Sequence, residues 1–159
     1  MRFHDKIPYY PNDRICRDIP GKDGPGTMKP VGRDKGGRSG TILLVEDSDV
    51  VRDVAARMLE EGGFTVLPAS SGEEALALSR RGDVPIDLLL TDIVMPEMSG
   101  VELADRLERE RPDMRILFMT GYAEKIVVNE GILGKHRECI GKPFTQEQIT
   151  KRAREILFP

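Results

Sequence analysis

A chain of 159 residues with 39% apolar side chains is sized for one domain around one core. Its charge is uneven: residues 1–39 carry nine Lys/Arg against five Asp/Glu, a net of +4, and residues 40–159 carry fifteen against twenty-two, a net of −7. An acidic folded part argues against a nucleic-acid reader, no apolar run approaches the ~20 residues of a membrane span, and two cysteines without CxxC or metal-ligand spacing to His argue against a disulfide framework or a structural zinc.

Residues 1–39 hold six Gly and five Pro with no periodic apolar pattern, so a disordered or loosely attached tail is expected. It lacks the apolar stretch of a signal peptide, and a cytoplasmic protein is expected. Thr41–Val45 is an apolar run of strand length that ends in two acids, Glu46 and Asp47. Ser48 or Asp49 can cap a helix whose stripe is Val51, Val54, Ala55, Met58 and Leu59, stopped by Gly62-Gly63. Phe64–Ala69 reads as a strand. Ser71 and Glu74 have capping-box spacing and open a helix over about 72–81.

Ile86–Leu90 is apolar apart from Asp87 and reads as a strand buried on both faces, which parallel sheets require. It leads to one carboxylate, Asp92, followed by a loop with Pro96 and Gly100. Val101–Arg109 reads as a helix with Leu103, Ala104 and Leu107 inward. Arg115–Met119 reads as a strand ending at Thr120. A crossover helix is expected over 123–137, short or distorted because Val127, Val128, Gly131 and Gly134 are poor helix formers. Glu138–Gly141 reads as a short strand ending at Lys142-Pro143. Thr145 and Gln148 again have capping-box spacing, and Ile149, Ala153, Ile156 and Leu157 line the last helix.

Five βα units in succession predict a parallel sheet covered on both faces. In such a sheet Glu46, Asp47, Asp92, Thr120 and Lys142 meet at one edge, where ligands bind in open α/β folds. Three carboxylates brought together repel one another, so either some protonate or a divalent cation sits among them. An oxygen-only donor set suits Mg²⁺. A metal site, an anionic nucleophile, a cation and a hydroxyl are the needs of phosphoryl transfer, and a carboxylate can accept the phosphoryl group covalently.

With Leu43–Asp47, Asp92 with Met95–Gly100, Phe118–Tyr122 and Lys142–Phe144 in this order, residues 40–159 resemble the receiver domain of two-component response regulators. The resemblance implies a doubly wound five-stranded sheet of order 2-1-3-4-5, flavodoxin-like. It implies Asp92 as phosphoacceptor from a partner phosphohistidine, on a histidine kinase or a histidine phosphotransfer protein. Asp47, Asp92 and the backbone carbonyl of Val94 would ligate Mg²⁺, with Glu46 binding directly or through water. Lys142 would pair with Asp92 or its phosphoryl oxygens, and Thr120 would move toward the phosphoryl group. The peptide before Pro143 is commonly cis in the family.

The family's usual Tyr or Phe three residues before the lysine is here Cys139. A haloacid-dehalogenase-type phosphatase needs an Asp two residues after its nucleophile, where this chain has Val94. The remaining alternative is a receiver-fold interaction module that ignores phosphate, against which the intact acid cluster argues. The resemblance therefore implies a phosphoacceptor that catalyses its own phosphotransfer, not a multiple-turnover enzyme. It would act through a downstream protein target, as a monomer or weak dimer, without inserting in a membrane. With no ring at 139, switching is expected to rest on ordering of residues 123–137. Amide hydrogen exchange should show increased protection there on phosphorylation, and unchanged protection would refute the expectation.

Overall fold

The computed structural model describes residues 39–121 and 137–159. The expected tail up to residue 38, Tyr122 and the expected crossover helix up to residue 136 lie outside the described residues. The elements run β1 (Thr41–Val45), α1 (Asp49–Glu61), β2 (Thr65–Ala69), α2 (Gly72–Arg80), β3 (Leu88–Asp92), α3 (Gly100–Glu110), β4 (Arg115–Thr120), β5 (Glu138–Gly141) and α4 (Gln146–Leu157). Every strand pair is parallel and the order is β2-β1-β3-β4-β5. The doubly wound, flavodoxin-like architecture is the one anticipated.

Side chains alternate across the strands, so each central strand serves two cores. Leu43, Val45, Leu89, Ile116 and Phe118 pack with Ala75 and Leu76 of α2 and Leu103, Ala104 and Leu107 of α3. Ile42, Leu44, Leu88, Leu90, Leu117 and Met119 pack on the other face with Ala55 and Leu59 of α1 and Ile149 and Ala153 of α4. This explains why β1 and β3 read as unbroken apolar runs. β2 is an edge strand, and there Pro68 is tolerated opposite Leu44 because its missing N–H faces no further strand.

Several local expectations shift. Val54 does not join the inward stripe of α1; it is exposed, and Val51 and Met58 are only half-buried. Helix α1 packs on one edge of the sheet, which narrows its buried face to Ala55 and Leu59. The helix ends in a Schellman arrangement, with Gly63 at φ 91°, its N–H donating to Glu60 O and that of Phe64 to Leu59 O. At α2 the Ser71 hydroxyl accepts from Glu74 N, but the Glu74 carboxylate turns to the N–H and hydroxyl of Ser70 instead of closing a capping box. The box at Thr145 and Gln148 is complete. Asp87, at the entry to β3, accepts from the N–H of Thr41 at 2.8 Å and so ties the starts of two strands together.

The turn after β3 is set by Gly100, the first residue of α3. Its N–H donates to Ile93 O at 2.8 Å, and a Cβ built there would lie 1.9 Å from the carbonyl oxygen of Asp92. Only glycine lets α3 start against the backbone that carries Asp92. Gly100→Ala should therefore lower stability by about 2 kcal/mol or more, because neither helix nor strand backbone can yield without moving the core. Urea denaturation of the two proteins checks this; an unchanged midpoint would contradict so close an approach.

Candidate functional site

The strands deliver their acids to one edge. Glu46 and Asp47 follow β1, Asp92 is the last residue of β3, Thr120 the last of β4, and Lys142 follows β5. One carboxylate oxygen each from Glu46, Asp47 and Asp92 lies within 4.8 Å of the others. Lys142 Nζ donates to Glu46 Oε2 at 2.8 Å and to Asp92 Oδ2 at 3.1 Å. The Lys142–Pro143 peptide is cis. All five side chains predicted from sequence thus end at the same edge, and four of them form one charged cluster.

Thr120 is 2% exposed, and its hydroxyl oxygen has no hydrogen-bond partner among the described residues. Its backbone is engaged, with Thr120 O accepting from Lys142 N at 2.8 Å. A buried hydroxyl left without a partner is uncommon and marks a place where an acceptor is missing. Val94 sits two residues beyond Asp92 with its side chain 69% exposed. Cys139 is buried in register with Phe118, in the core on the α2–α3 side. A cleft of roughly 460 Å³ lined in part by Asp87, Arg111 and Leu157 opens by the entry ends of the strands, and none of the predicted site residues lines it. The chemistry belongs to the charged edge and not to this cleft.

Glu46 is 1% exposed. Burial pushes its carboxyl above the ordinary 4.5, and the like charge of Asp92 adds to this, against the opposing hydrogen bonds from Lys142 and the N–H of Ser48. Burial alone would lower Lys142, but its bonds to Glu46 and Asp92 win and hold the ammonium above the ordinary 10.5. The lysine is therefore charged at neutral pH and stands in for part of the positive charge the acids require. Three oxygen donors of this hardness, with no His or Cys among them, fit Mg²⁺ better than a softer metal.

From the sequence Ser48 reads only as a helix cap and Gly100 only as a loop and motif residue, and Arg52 does not stand out. The Ser48 N–H holds Glu46 Oε1 at 3.1 Å, and Arg52 Nη1 donates to Glu46 O at 2.8 Å. A backbone donor leaves no trace in residue identity. Arg52 did leave one: a cation in the first turns of a helix opposes the macrodipole and needs a reason to be there.

Lys142→Met should destabilise the metal-free protein by roughly 2 kcal/mol at pH 7, because it leaves a buried acid without its partner. The Lys142 contribution is complete below its ordinary 10.5 and is lost as pH rises through the higher folded-state value, so the two proteins converge at high pH. They also converge as pH falls through the raised Glu46 value, where a neutral carboxyl needs no ammonium. Denaturant midpoints across pH check this, and a difference that does not vary with pH would refute it.

A family model described as the response regulator receiver domain matches residues 42–154. The response regulator receiver protein CpdR of Brucella abortus (strain 2308) is 36% identical over 117 residues, which is 74% of this chain and 96% of CpdR. The sensor kinase CckA of the same organism is 37% identical over 119 residues, but they make up only 13% of CckA. Among solved structures, the receiver domain of the hybrid histidine kinase CckA aligns with a TM-score of 0.62 at 32% identity, covering 74% of this chain and 99% of that one. The chemotaxis response regulator CheY4 of Vibrio cholerae aligns with a TM-score of 0.63 at 26% identity, covering 76% and 100%. Five parallel strands in this order, an acid cluster at their carboxyl edge and these matches together make the chain a member of the response regulator receiver domain family of two-component systems.

Proposed function

We propose that Asp92 accepts a phosphoryl group from a phosphohistidine on a histidine kinase or histidine phosphotransfer protein, and that the phosphorylated chain signals by binding a downstream protein. The observation that carries this is the meeting of three carboxylates with Lys142 Nζ, 3.1 Å from Asp92 Oδ2, at the end of the central strand. Acids held together at a strand edge, one of them buried, are hard to explain as structure, since apolar residues of the same size would be more stable there.

The chemistry follows from the residues. A carboxylate oxygen of Asp92 attacks the phosphorus, the new O–P bond forms as the N–P bond breaks, and the electron pair leaves with the partner's imidazole. Asp47, Asp92 and the Val94 carbonyl would hold Mg²⁺, with Glu46 binding it directly or through water. Bound there, Mg²⁺ supplies charge neutralisation for the phosphoryl oxygens. Lys142 loses Asp92 as a pure carboxylate partner and gains a phosphoryl oxygen instead. Thr120, buried with an unengaged hydroxyl, is the group able to donate to that oxygen once it arrives. Its movement would report phosphorylation to the outside, and the small Cys139 means that the report does not run through a ring at that position. Residues 40–159 would form the phosphoaccepting domain, and the tail of residues 1–39 is not needed for this chemistry.

Hydrolysis of the product needs a water in line with the O–P bond. Val94, exposed beside Asp92, offers no acid or amide to orient one. The phosphoprotein should therefore decay slowly.

Incubation with a small phosphodonor and Mg²⁺, followed by intact mass over time, tests these points together. The wild type should gain one phosphoryl group that persists through the time course, and Asp92→Asn should gain none. No gain by the wild type would favour a phosphate-independent interaction module. Rapid loss of the group without a phosphatase would overturn the slow-decay expectation alone. Mg²⁺ at a hundredfold excess over its dissociation constant should add about 2.7 kcal/mol to the stability of the wild type and little to that of Asp47→Asn.

A further inference from the structure

The β1–α1 turn holds a contact that the phosphotransfer chemistry does not use. Arg52 lies in the second half of the first turn of α1, and its side chain is only 16% exposed. Its Nη1 donates to the backbone carbonyl of Glu46 at 2.8 Å, and its Nη2 to Asp49 Oδ1 at 2.5 Å. Neither acceptor belongs to the carboxylate cluster. The guanidinium instead grips the peptide that joins the two acids, Glu46 and Asp47.

The rest of that turn is built around the same residue, Glu46. Glu46 N–H donates back to Ala69 O at 3.2 Å, the last bond tying the chain to β2. Ser48 sits in the cap position of α1, yet its side chain caps nothing; its N–H is directed to Glu46 Oε1. The helix gives up a side-chain cap and carries a cation near its positive end. Both choices are unfavourable for α1 as a helix. Both are explained if the turn is shaped for the acids. With the Glu46 N–H on Ala69 O and the Glu46 C=O on Arg52, the two peptide planes flanking Glu46 are each held, and the second sets the direction in which the exposed Asp47 leaves the strand.

From this we infer that Arg52 is a positioning residue for the divalent-cation site, acting through the Glu46 peptide to hold Asp47 against Asp92, with Asp49 as its anchor. The inference rests on the Mg²⁺ reading of the acid cluster. It makes a prediction opposite in sign to simple electrostatics. By charge alone, a guanidinium next to a cluster of acids competes with a dication, and its removal should tighten Mg²⁺ binding. As a clasp, its removal should weaken binding, because metal affinity depends on how the ligands are held.

The test uses the full chain and the thermal midpoint as a function of MgCl₂ concentration, with the metal-free midpoint as an internal control. Arg52→Met keeps the apolar stem and removes the fork. It should raise the half-saturating Mg²⁺ concentration by about tenfold, in the range seen for residues that orient metal ligands. Arg52→Lys keeps the charge but cannot reach both acceptors in the same geometry, and should give a smaller increase in the same direction. Asp49→Ala alters a side chain that is 83% exposed, so folding is not at risk. It should weaken binding in the wild type and have no further effect in the Arg52→Met background, since the anchor then has nothing to hold.

A purely structural role would lower the metal-free midpoint of Arg52→Met and leave the half-saturating concentration unchanged, which would overturn the inference. Tighter Mg²⁺ binding by Arg52→Met would overturn it in favour of charge. A wild type that shows no Mg²⁺ response at all would remove the metal-site reading itself, and is distinguishable from both.

Discussion

Like-charge repulsion at the carboxyl edge of the sheet is the constraint around which this domain is arranged. Glu46, Asp47 and Asp92 approach within 4.8 Å, and Glu46 is almost wholly buried. No fold gathers such groups without offsetting the repulsion. Here Lys142 does so with two bonds, one to Glu46 and one to Asp92. The lysine follows β5 at one side of the sheet; of its partners, Glu46 follows β1 and Asp92 ends β3. The strand order is what brings a cation fifty residues from Asp92 in sequence into contact with it. The compensation is partial, because one positive charge faces three negative ones. That deficit is one a further cation would offset.

The scaffold around the cluster is stiff where position matters. Gly100 lets α3 abut the backbone of Asp92, and the cores on both sides of the sheet leave β1, β3 and β4 no freedom to slide. Contacts made by two arginines extend this stiffness outward. Arg137 joins the approach to β5 to Asp105 and Glu108 of α3, and Arg154 of α4 caps α1 by donating to Gly62 O while lying over the ring of Phe64. The Arg137 side chain is only 11% exposed, while its two acidic partners are about half exposed. The effect of these contacts is geometric: they join helices on each face to the strands or helices beside them. Among the described residues no helix is long and apolar enough to cross a membrane.

Two departures from simple patterning carry meaning. Val54 obeys the helical stripe and is nevertheless exposed, because α1 covers an edge of the sheet and shows the core a narrower face than periodicity alone implies. Ser48 occupies a cap position, yet its side chain caps nothing, while its N–H donates to the Glu46 carboxylate two residues back. At Val54 the tertiary arrangement overrides the helical pattern, and at Ser48 a contact between near neighbours in the chain stands where a side-chain cap of the order of 1 kcal/mol could form. The second lies beside the acids, where a locally suboptimal helix start is what a positioned site requires.

The amino-acid sequence by itself determined the class of fold, the element order and the identity of the site's side chains. Apolar runs of strand length with helical stripes between them admit few arrangements other than a parallel sheet covered on both faces, and polar residues at the strand ends then have to share an edge. Asp92, Glu46, Asp47, Thr120 and Lys142 were legible for that reason. The tertiary structure alone decided which acid is buried, which oxygens Lys142 grips, that the Thr120 hydroxyl has no partner among the described residues, and that Arg52 holds the Glu46 carbonyl while the Ser48 N–H holds its carboxylate. Those depend on distances of a few tenths of an ångström between groups far apart in the chain, or on backbone donors common to all residues. Periodicity and motif spacing carry neither kind of information.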